Sequence, residues 1–235
     1  MGLDVSEIEP VSRRSTAEIV ADRIRTAIMR GTFGPGTQLG EVDLASRLGV
    51  SRGPLREAMQ RLVAEGLLRS ERHRGLFVRE LGADDVRDVY IARTAVERAA
   101  ALLVVAGDRP AAAQRLTGAL AAMEAAARAD DPVALADADH DFHAELVAAS
   151  GSPRLRRMTD GLLVETRMCL AALQETAPPA PDLVDEHRAL RDAVADGDAD
   201  RLVTRLEAHM NDAVTRILAA MPDADPDSGP PAVSA

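Results

Sequence analysis

Four side chains in the second half of the sequence could together bind a metal ion: Asp139, His143, His187 and His209. Asp139 and His143 are four residues apart, which places them on one face of a helix, about one turn apart. His187 and His209 lie ten residues before and twelve residues after Gly197, so an antiparallel helical hairpin around that glycine would bring them to similar heights. Three imidazoles and one carboxylate suit a first-row divalent ion, with zinc expected and nickel or manganese as alternatives.

Each of these histidines, taken singly, is more simply a hydrogen-bonded core or surface residue, and only the set of four favours a metal. The same residue types also occur in metal-dependent hydrolases, which need an open coordination position and a general base. Asp141 and Glu145 are nearby acids on the first of these helices, but a position two residues from a ligand points to another side of the helix. We therefore predict that the chain is not an enzyme, with a metal-dependent hydrolase as the alternative.

The stretch GVSRGPLREAMQRLVAEGLL, residues 49–68, gathers positive charge that an acidic chain has no general reason to collect. Arg52 and Arg56 are four residues apart, so they share one face of a helix whose N-cap is Ser51. A recognition helix presents its N-terminal residues to base edges in the major groove, where Arg contacts O6 and N7 of guanine. We expect Arg52 and Arg56, with Gly53 beside them, to face DNA, and Ser51 to contact phosphate.

Charge is distributed unevenly along this chain of net charge -10. Residues 12–79 carry a net +6 and residues 81–235 a net -12, which indicates two modules of opposite electrostatics. Within the basic module, Arg61 has Glu57 and Glu65 four residues away on either side. We expect Arg61 to pair with one of these acids at the surface rather than to contact DNA.

Composition favours a mostly α-helical fold without a membrane span. Apolar residues make up 46% of the chain and aromatic residues only 2%, so the core must be built from aliphatic side chains, many of them strong helix formers. No apolar run approaches the roughly 18 to 20 residues of a membrane span, and no secretory signal is recognisable. Because Cys169 is the one cysteine, an intrachain disulfide is excluded. We expect a cytoplasmic protein that does not bind membranes.

Helical periodicity predicts three helices before residue 67, followed by two short strands. Ser15 and Glu18 form a capping box ahead of an apolar repeat that ends at Gly31. The third helix has an apolar stripe of Leu55, Met59, Leu62 and Val63. The predicted elements are helices 16–30, 41–48 and 51–66 and strands 67–71 and 76–79, with a tip that contains Arg72, His73, Arg74 and Gly75. This order is that of a winged helix-turn-helix.

Six further helices, separated by well-marked breaks, are predicted beyond Leu81. They cover residues 84–106, 110–129, 132–149, 153–175, 183–195 and 199–220. Such a series predicts an all-α bundle. The Asp, Pro, Gly and Ser residues beyond it predict a disordered tail over residues 221–235.

The string PGTQLGEVDLASRLGVSRGPLREAMQRLVAEGLLRSERHRGLFV, together with the helix before it, resembles the DNA-binding domain of the GntR family of bacterial transcription regulators. The family pattern includes P-G-x-x-L, L-A-x-x-L-G-V-S-R-x-P-x-R-E-A-x-x-x-L and E-G-L. The resemblance implies that Arg52 and Arg56 read bases or bind phosphate. It also implies that Gly75, with His73 and Arg74, sets the wing in the minor groove. Where the family commonly has Thr before the proline, this chain has Gly53, which removes one hydroxyl contact.

The segments YIARTAVERAAA, DHDFHAELVAASG and EHRALRDAVADGDAD resemble the metal-binding ligand domain, of FCD type, in the FadR branch of that family. The resemblance implies that the metal ligands are Asp139, His143, His187 and His209. It further implies that a small carboxylate effector completes the coordination and that an inward Arg93 helps to hold it. A register error of one residue would exchange Asp139 for His140.

These features predict a metal- and carboxylate-responsive repressor that binds a palindromic double-stranded DNA operator as a homodimer. Its predicted domains are a winged helix-turn-helix over residues 12–80 and an all-α effector-binding and dimerisation domain over residues 82–220. One alternative is a helical-bundle hydrolase with a DNA-binding module. Another is an architectural DNA-binding protein whose bundle only dimerises, in which metal removal would leave ligand and operator binding unchanged.

Overall fold

The computed structural model describes residues 14–171 and 180–221. Within these ranges the chain forms nine helices and three short strands. It divides into two compact units, the first up to Ile28 and over Thr32–Arg79, and the second over Met29–Gly31 and from Glu80 onward. The predicted fold class, a winged helix-turn-helix followed by an all-α bundle, is confirmed. No helix of the described ranges has the length and apolarity that crossing a membrane requires. The predicted disordered tail lies outside the described residues from residue 222 onward.

The first unit contains three helices and a small antiparallel sheet. Its elements are α1 (Thr16–Met29), β1 (Gln38–Leu39), α2 (Glu41–Leu48), α3 (Arg52–Ala64), β2 (Leu68–Glu71) and β3 (Gly75–Val78). The strand order is β1-β3-β2, with Gln38 opposite Phe77 and Leu68 opposite Val78. Sequence reasoning missed β1, because two residues are too few to show an alternating pattern.

Local chemistry explains how α3 is set against α2. Gly49 ends α2 in the left-handed region at φ 66, where glycine carries no steric penalty. Ser51 then takes the extended N-cap conformation, but its side chain makes no capping hydrogen bond. The buried stripe of α3 is Leu55, Ala58, Met59 and Leu62. Val63, predicted to be buried, is only half-buried because it lies at the edge of that stripe.

The second unit is a bundle of six helices within the described residues. They are α4 (Ala83–Ala106), α5 (Arg109–Arg128), α6 (Pro132–Ala149), α7 (Pro153–Ala171), α8 (Ala180–Asp196) and α9 (Ala199–Ala220). Helix α8 includes three residues before the predicted start, because Pro181 is tolerated in a first helical turn. Residues 172–175 of the predicted fourth bundle helix lie outside the described ranges.

The bundle core of the described residues is mostly aliphatic, and its aromatic members are Tyr90 and Phe142. α4 packs against α7 and α9, and α5 packs against α6 and α8. Fully buried members of the core include Leu116, Met123, Phe142, Leu146, Leu202 and Leu206. The side chains of Asp131 and Asp198 accept backbone N–H groups at the starts of α6 and α9, so each of these helices has a fixed beginning.

Candidate functional site

Helices α6, α8 and α9 bring the four predicted metal-binding side chains together. One potential ligand atom from each of Asp139, His143, His187 and His209 lies within 4.8 Å of the others. Nε2 of His143 is 3.2 Å from Nε2 of His209 and 3.4 Å from Nε2 of His187. Oδ1 of Asp139 is 3.0 Å from Nε2 of His187. These three separations match the roughly 3.0 to 3.4 Å expected between atoms that each lie ~2.1 Å from one ion, whereas Oδ1 of Asp139 is 4.0 Å from Nε2 of His143. We call these four residues the histidine cluster.

The other nitrogen of each imidazole is engaged outside the histidine cluster. The partners of Nδ1 are Oε2 of Glu97 for His143 (2.6 Å), the carbonyl oxygen of Leu183 for His187 (2.8 Å) and Oε2 of Glu186 for His209 (2.7 Å). An imidazole that donates from Nδ1 presents the Nε2 lone pair to the cluster, which is what a metal ligand requires. The donor set therefore fits a divalent ion of the zinc type.

The histidine cluster is buried, and its surroundings shift the pKa values of His209 and Asp139. His143 and His187 are completely buried, and His209 is nearly so. Burial lowers the pKa of His209 to about 4, although its hydrogen bond to Glu186 opposes this shift. Burial raises the pKa of Asp139, but the hydrogen bond and charge of His187 outweigh burial and hold that pKa well below its usual range. A neutral imidazole and an ionised carboxylate are the forms that bind metal.

A buried ion pair on α4, between Arg93 and Glu97, contacts the histidine cluster at His143. Nε of Arg93 donates to Oε1 of Glu97 at 2.9 Å, while Oε2 of the same carboxylate contacts His143. Burial raises the pKa of Glu97, but the charges of Arg93 and His143 outweigh burial and hold it at about 2. Nη2 of Arg93 is buried without a hydrogen-bond partner among the described residues. The predicted effector contact, Arg93, is therefore linked to His143 through Glu97.

Sequence reasoning missed the two carboxylates that hold the imidazoles, Glu97 and Glu186. One signal was present for Glu97, which follows Arg93 by four residues inside the apolar stretch of α4. Opposite charges at this spacing within a buried helix face indicate an internal ion pair. Glu186 had no comparable signal, because its partner His209 lies on a different helix.

The N-terminal end of α3 presents exposed arginine. Arg52 is exposed and forms no ion pair with the described residues. Nε of Arg56 is 2.8 Å from Oε2 of Glu41 at the start of α2, yet 62% of the Arg56 side chain stays exposed. Ser51 and Gly53 are exposed beside them, and a Cβ added at Gly53 would meet nothing within 4 Å. The four predicted residues thus form one accessible surface.

Arg61 is paired, but not with the predicted acids. Nη1 of Arg61 is 3.5 Å from Oε1 of Glu18 in α1. The expectation of an i, i+4 partner, Glu57 or Glu65, is wrong. Glu65 instead pairs with Arg25 at 2.7 Å, so tertiary packing of α1 against α3 decides both partners.

The tip between β2 and β3 is exposed and built on unusual backbone. His73 has φ 64 and Gly75 has φ 103, and both conformations suit a tight turn. Nε2 of Gln38 donates to the carbonyl oxygen of Arg74 at 2.5 Å, so β1 fixes the tip. Arg74 also lies over the ring of Phe77 at 5.3 Å. The three predicted wing residues therefore stand together at one end of the sheet.

Two protein-family models match this chain. The one for bacterial regulatory proteins of the gntR family covers residues 16–78, and the FCD domain covers residues 88–212. The chain belongs to the GntR family. The GntR protein thus carries an FCD domain over more than half of its length.

Named relatives match this GntR regulator along most of its length. It is 31% identical over 207 residues to the "Probable D-xylose utilization operon transcriptional repressor" of Paenarthrobacter nicotinovorans, covering 86% of this chain and 91% of that protein. It is 32% identical over 211 residues to the HTH-type transcriptional regulator Mce2R of Mycobacterium tuberculosis (strain CDC 1551 / Oshkosh), covering 81% and 87%. A crystal structure of a GntR protein from Rhodococcus sp. RHA1 has a TM-score of 0.80 at 30% identity, covering 89% and 100%.

These matches give each unit of the GntR regulator its general role. The N-terminal unit is a DNA-binding domain, and the FCD domain indicates a small-molecule effector. The protein is a transcriptional regulator, as predicted, and its FCD domain contains a cluster that could hold a metal ion.

Three polar residues of α6 that the sequence offered as alternatives, His140, Asp141 and Glu145, are not members of the histidine cluster of the GntR regulator. His140 is absent from the cluster, and its Nδ1 is buried without a partner among the described residues; the carboxylate of Asp139 lies there instead. Asp141 is exposed, and Glu145 is 3.6 Å from Arg115. The two acids considered for a hydrolase are therefore not among the clustered side chains.

Proposed function

We propose that this GntR regulator is a metal-dependent sensor of a small organic acid that represses transcription from a palindromic operator as a homodimer, without enzymatic activity. The observation that carries the proposal is the convergence of three imidazole Nε2 atoms and one carboxylate beside a buried arginine with an unused donor. Zinc is the proposed ion, and nickel and manganese accept the same donors.

The proposed DNA-binding surface combines the start of α3 with the wing. Arg52 and Arg56 read base edges in the major groove, and Ser51 and the backbone beside Gly53 contact phosphate. Because the Ser51 hydroxyl does not cap α3, it is free for this contact. The wing residues His73, Arg74 and Gly75 approach the minor groove. A homodimer places two such surfaces on two half-sites, about 34 to 36 Å apart, which makes the operator palindromic.

The proposed effector site combines the metal with Arg93. Asp139, His143, His187 and His209 would hold the ion, which supplies an electrophilic position for a carboxylate oxygen. Arg93 donates to the same carboxylate through its unused Nη2. The effector changes DNA affinity only if it binds the DNA-bound and DNA-free arrangements of the domains with different free energies. The name of the P. nicotinovorans relative supports repression as the sign of regulation.

The test uses operator DNA selected from a random pool by the purified protein. Fluorescence anisotropy at one fixed salt concentration gives the dissociation constant of the zinc-loaded, chelator-stripped and acid-supplemented protein. We expect at least one small carboxylic acid to weaken binding tenfold or more, and only when zinc is present. Equal affinity under all conditions would instead favour the architectural alternative.

A further inference from the structure

A second buried arginine lies at the contact between α6 and α7. Arg167 is only 6% exposed, and its Nη2 donates to Oδ1 of Asp137 at 2.7 Å. Its Nε is buried without a partner among the described residues. About half of the Asp137 side chain is exposed, so the pair reaches from the bundle interior to solvent. A buried guanidinium with an unused donor is an unfavourable arrangement unless a ligand meets it.

Arg167 is connected to the effector arginine through the neighbouring residue of α7. Nη1 of Arg93 donates to Oγ1 of Thr166 at 3.4 Å, and Thr166 directly precedes Arg167 in the chain. Nη2 of Arg93 is the other unused guanidinium donor of this region. Arg93 of α4 therefore contacts the residue next to Arg167 of α7, and each of these buried arginines has one N–H group without a partner among the described residues.

His140 joins Arg167 to the histidine cluster. It follows Asp139 directly in α6 and lies three residues after Asp137, the ion-pair partner of Arg167. Positions three apart on a helix lie on the same side of it, so His140 stands beside the ion pair of Asp137 and Arg167. Its Nδ1 is also unused.

We propose that Arg167 and His140 form a second anion subsite next to the histidine cluster, and that the effector is therefore a dicarboxylate. One carboxylate of this effector binds at the metal and Arg93, and the other accepts a charge-assisted hydrogen bond from Nε of Arg167, the donor that Asp137 leaves unpaired. His140 adds one hydrogen bond from Nδ1. This inference rests on the proposed function, because the first carboxylate needs the metal site.

Three pairs of acids with equal carbon number test the inference: malonate and propionate, succinate and butyrate, glutarate and pentanoate. Isothermal titration calorimetry on the zinc-loaded full-length protein gives each dissociation constant. We expect at least one dicarboxylate to bind on the order of tenfold more tightly than its monocarboxylate partner, which corresponds to one extra charge-assisted contact. Equal affinities within all three pairs would overturn the subsite.

A variant of Arg167 distinguishes two explanations for a dicarboxylate preference: binding of the second carboxylate to Arg167, and chelation of the metal by both carboxylates. Arg167→Gln should remove the preference for the dicarboxylate and leave the monocarboxylate constant unchanged. Arg98→Gln is the matched control and should keep the preference, because Arg98 of α4 forms an exposed ion pair with Glu207 of α9. If Arg167→Gln keeps it too, the second carboxylate binds the metal and the subsite is wrong. Should Arg167→Gln not fold, His140→Asn must still reduce the preference.

The outcomes also distinguish this inference from the proposed function. If none of the six acids binds the zinc-loaded protein, the carboxylate site at the metal and the second subsite are both contradicted. If monocarboxylates bind and dicarboxylates bind no more tightly, the proposed function stands and the subsite alone fails.

Discussion

Oε2 of Glu97 in α4 lies 2.6 Å from Nδ1 of His143 in α6, and both side chains are completely buried. The carboxylate fixes the imidazole so that Nε2 faces the histidine cluster. The same carboxylate neutralises Arg93, so one residue serves both the proposed metal ligand and the proposed effector contact. The cluster is thus supported by α4 as well as by the helices that carry its ligands.

Glu97→Gln should weaken zinc binding by about 10- to 100-fold. A neutral amide accepts the hydrogen bond from Nδ1 of His143 more weakly than a carboxylate does, which leaves this imidazole a weaker metal ligand. Competition against a chromophoric chelator measures the zinc affinity. Glu207→Gln, at an exposed ion pair of α9, serves as the control and should bind zinc like the unmodified protein. Equal zinc affinity of both variants would show that Glu97 has no part in metal binding.

Arg52→Ala should weaken operator binding by about 1 to 3 kcal/mol and flatten the base preference at one position of each half-site. Arg61→Ala is the matched control on the same helix, because Arg61 pairs with Glu18. Anisotropy with the selected operator and its single-base variants measures both effects. A larger loss for Arg61→Ala than for Arg52→Ala would reverse the assignment of the reading face.

Gly53→Thr should tighten DNA binding, because the added hydroxyl can contact phosphate and nothing in the structure obstructs a Cβ at this position. Gly53→Ala separates this contact from helix propensity. Both variants should raise the free energy of unfolding by up to about 1 kcal/mol, but only the Thr variant should raise DNA affinity. Identical affinities for Ala and Thr would exclude a hydroxyl contact.

Local periodicity suffices to predict part of the histidine cluster. Asp139 and His143 share a face because helix geometry fixes the i, i+4 relation. The approach of His187 and His209 follows from the antiparallel hairpin around Gly197, which the sequence marks by a break between two apolar repeats. The contribution of α4 could not be derived in this way, because the contact between Glu97 and His143 depends on tertiary packing alone.

The DNA-binding unit shows the same division between local and tertiary information. The apolar stripe of α3 and the left-handed Gly49 follow from spacing and residue type. The two-residue strand β1 cannot be derived from spacing or residue type. It exists because it pairs with β3, a strand that lies much later in the chain, after the tip between β2 and β3. The partner of Arg61 was also not predicted. Glu18 of α1 pairs with Arg61 in place of the acids on α3, and this contact depends on tertiary packing.

Stability of the metal-free protein should fall as pH decreases from about 6.5 to about 4. Burial lowers the pKa of His209 to about 4 from an ordinary value of 6.5, so between these values the unfolded chain binds a proton that the folded chain does not. Below pH 4 both states are protonated, and this group has no further effect. Urea unfolding of the unmodified protein and of His209→Gln gives the comparison. The slopes should differ by at most one proton, about 1.4 kcal/mol per pH unit.

An exposed histidine provides the control for this pH dependence. His73 is exposed at the tip between β2 and β3, so His73→Gln should retain the slope of the unmodified protein. If His209→Gln also retains it, the buried imidazole of His209 does not govern acid stability.

The most direct test of the metal site is elemental analysis of the purified protein after dialysis against a weak chelator. We predict one divalent ion per chain in the unmodified protein and in His140→Ala, and little or no metal in His143→Ala and His187→Ala. Full metal content in both of the latter variants would contradict the ligand set, and with it the proposed sensor.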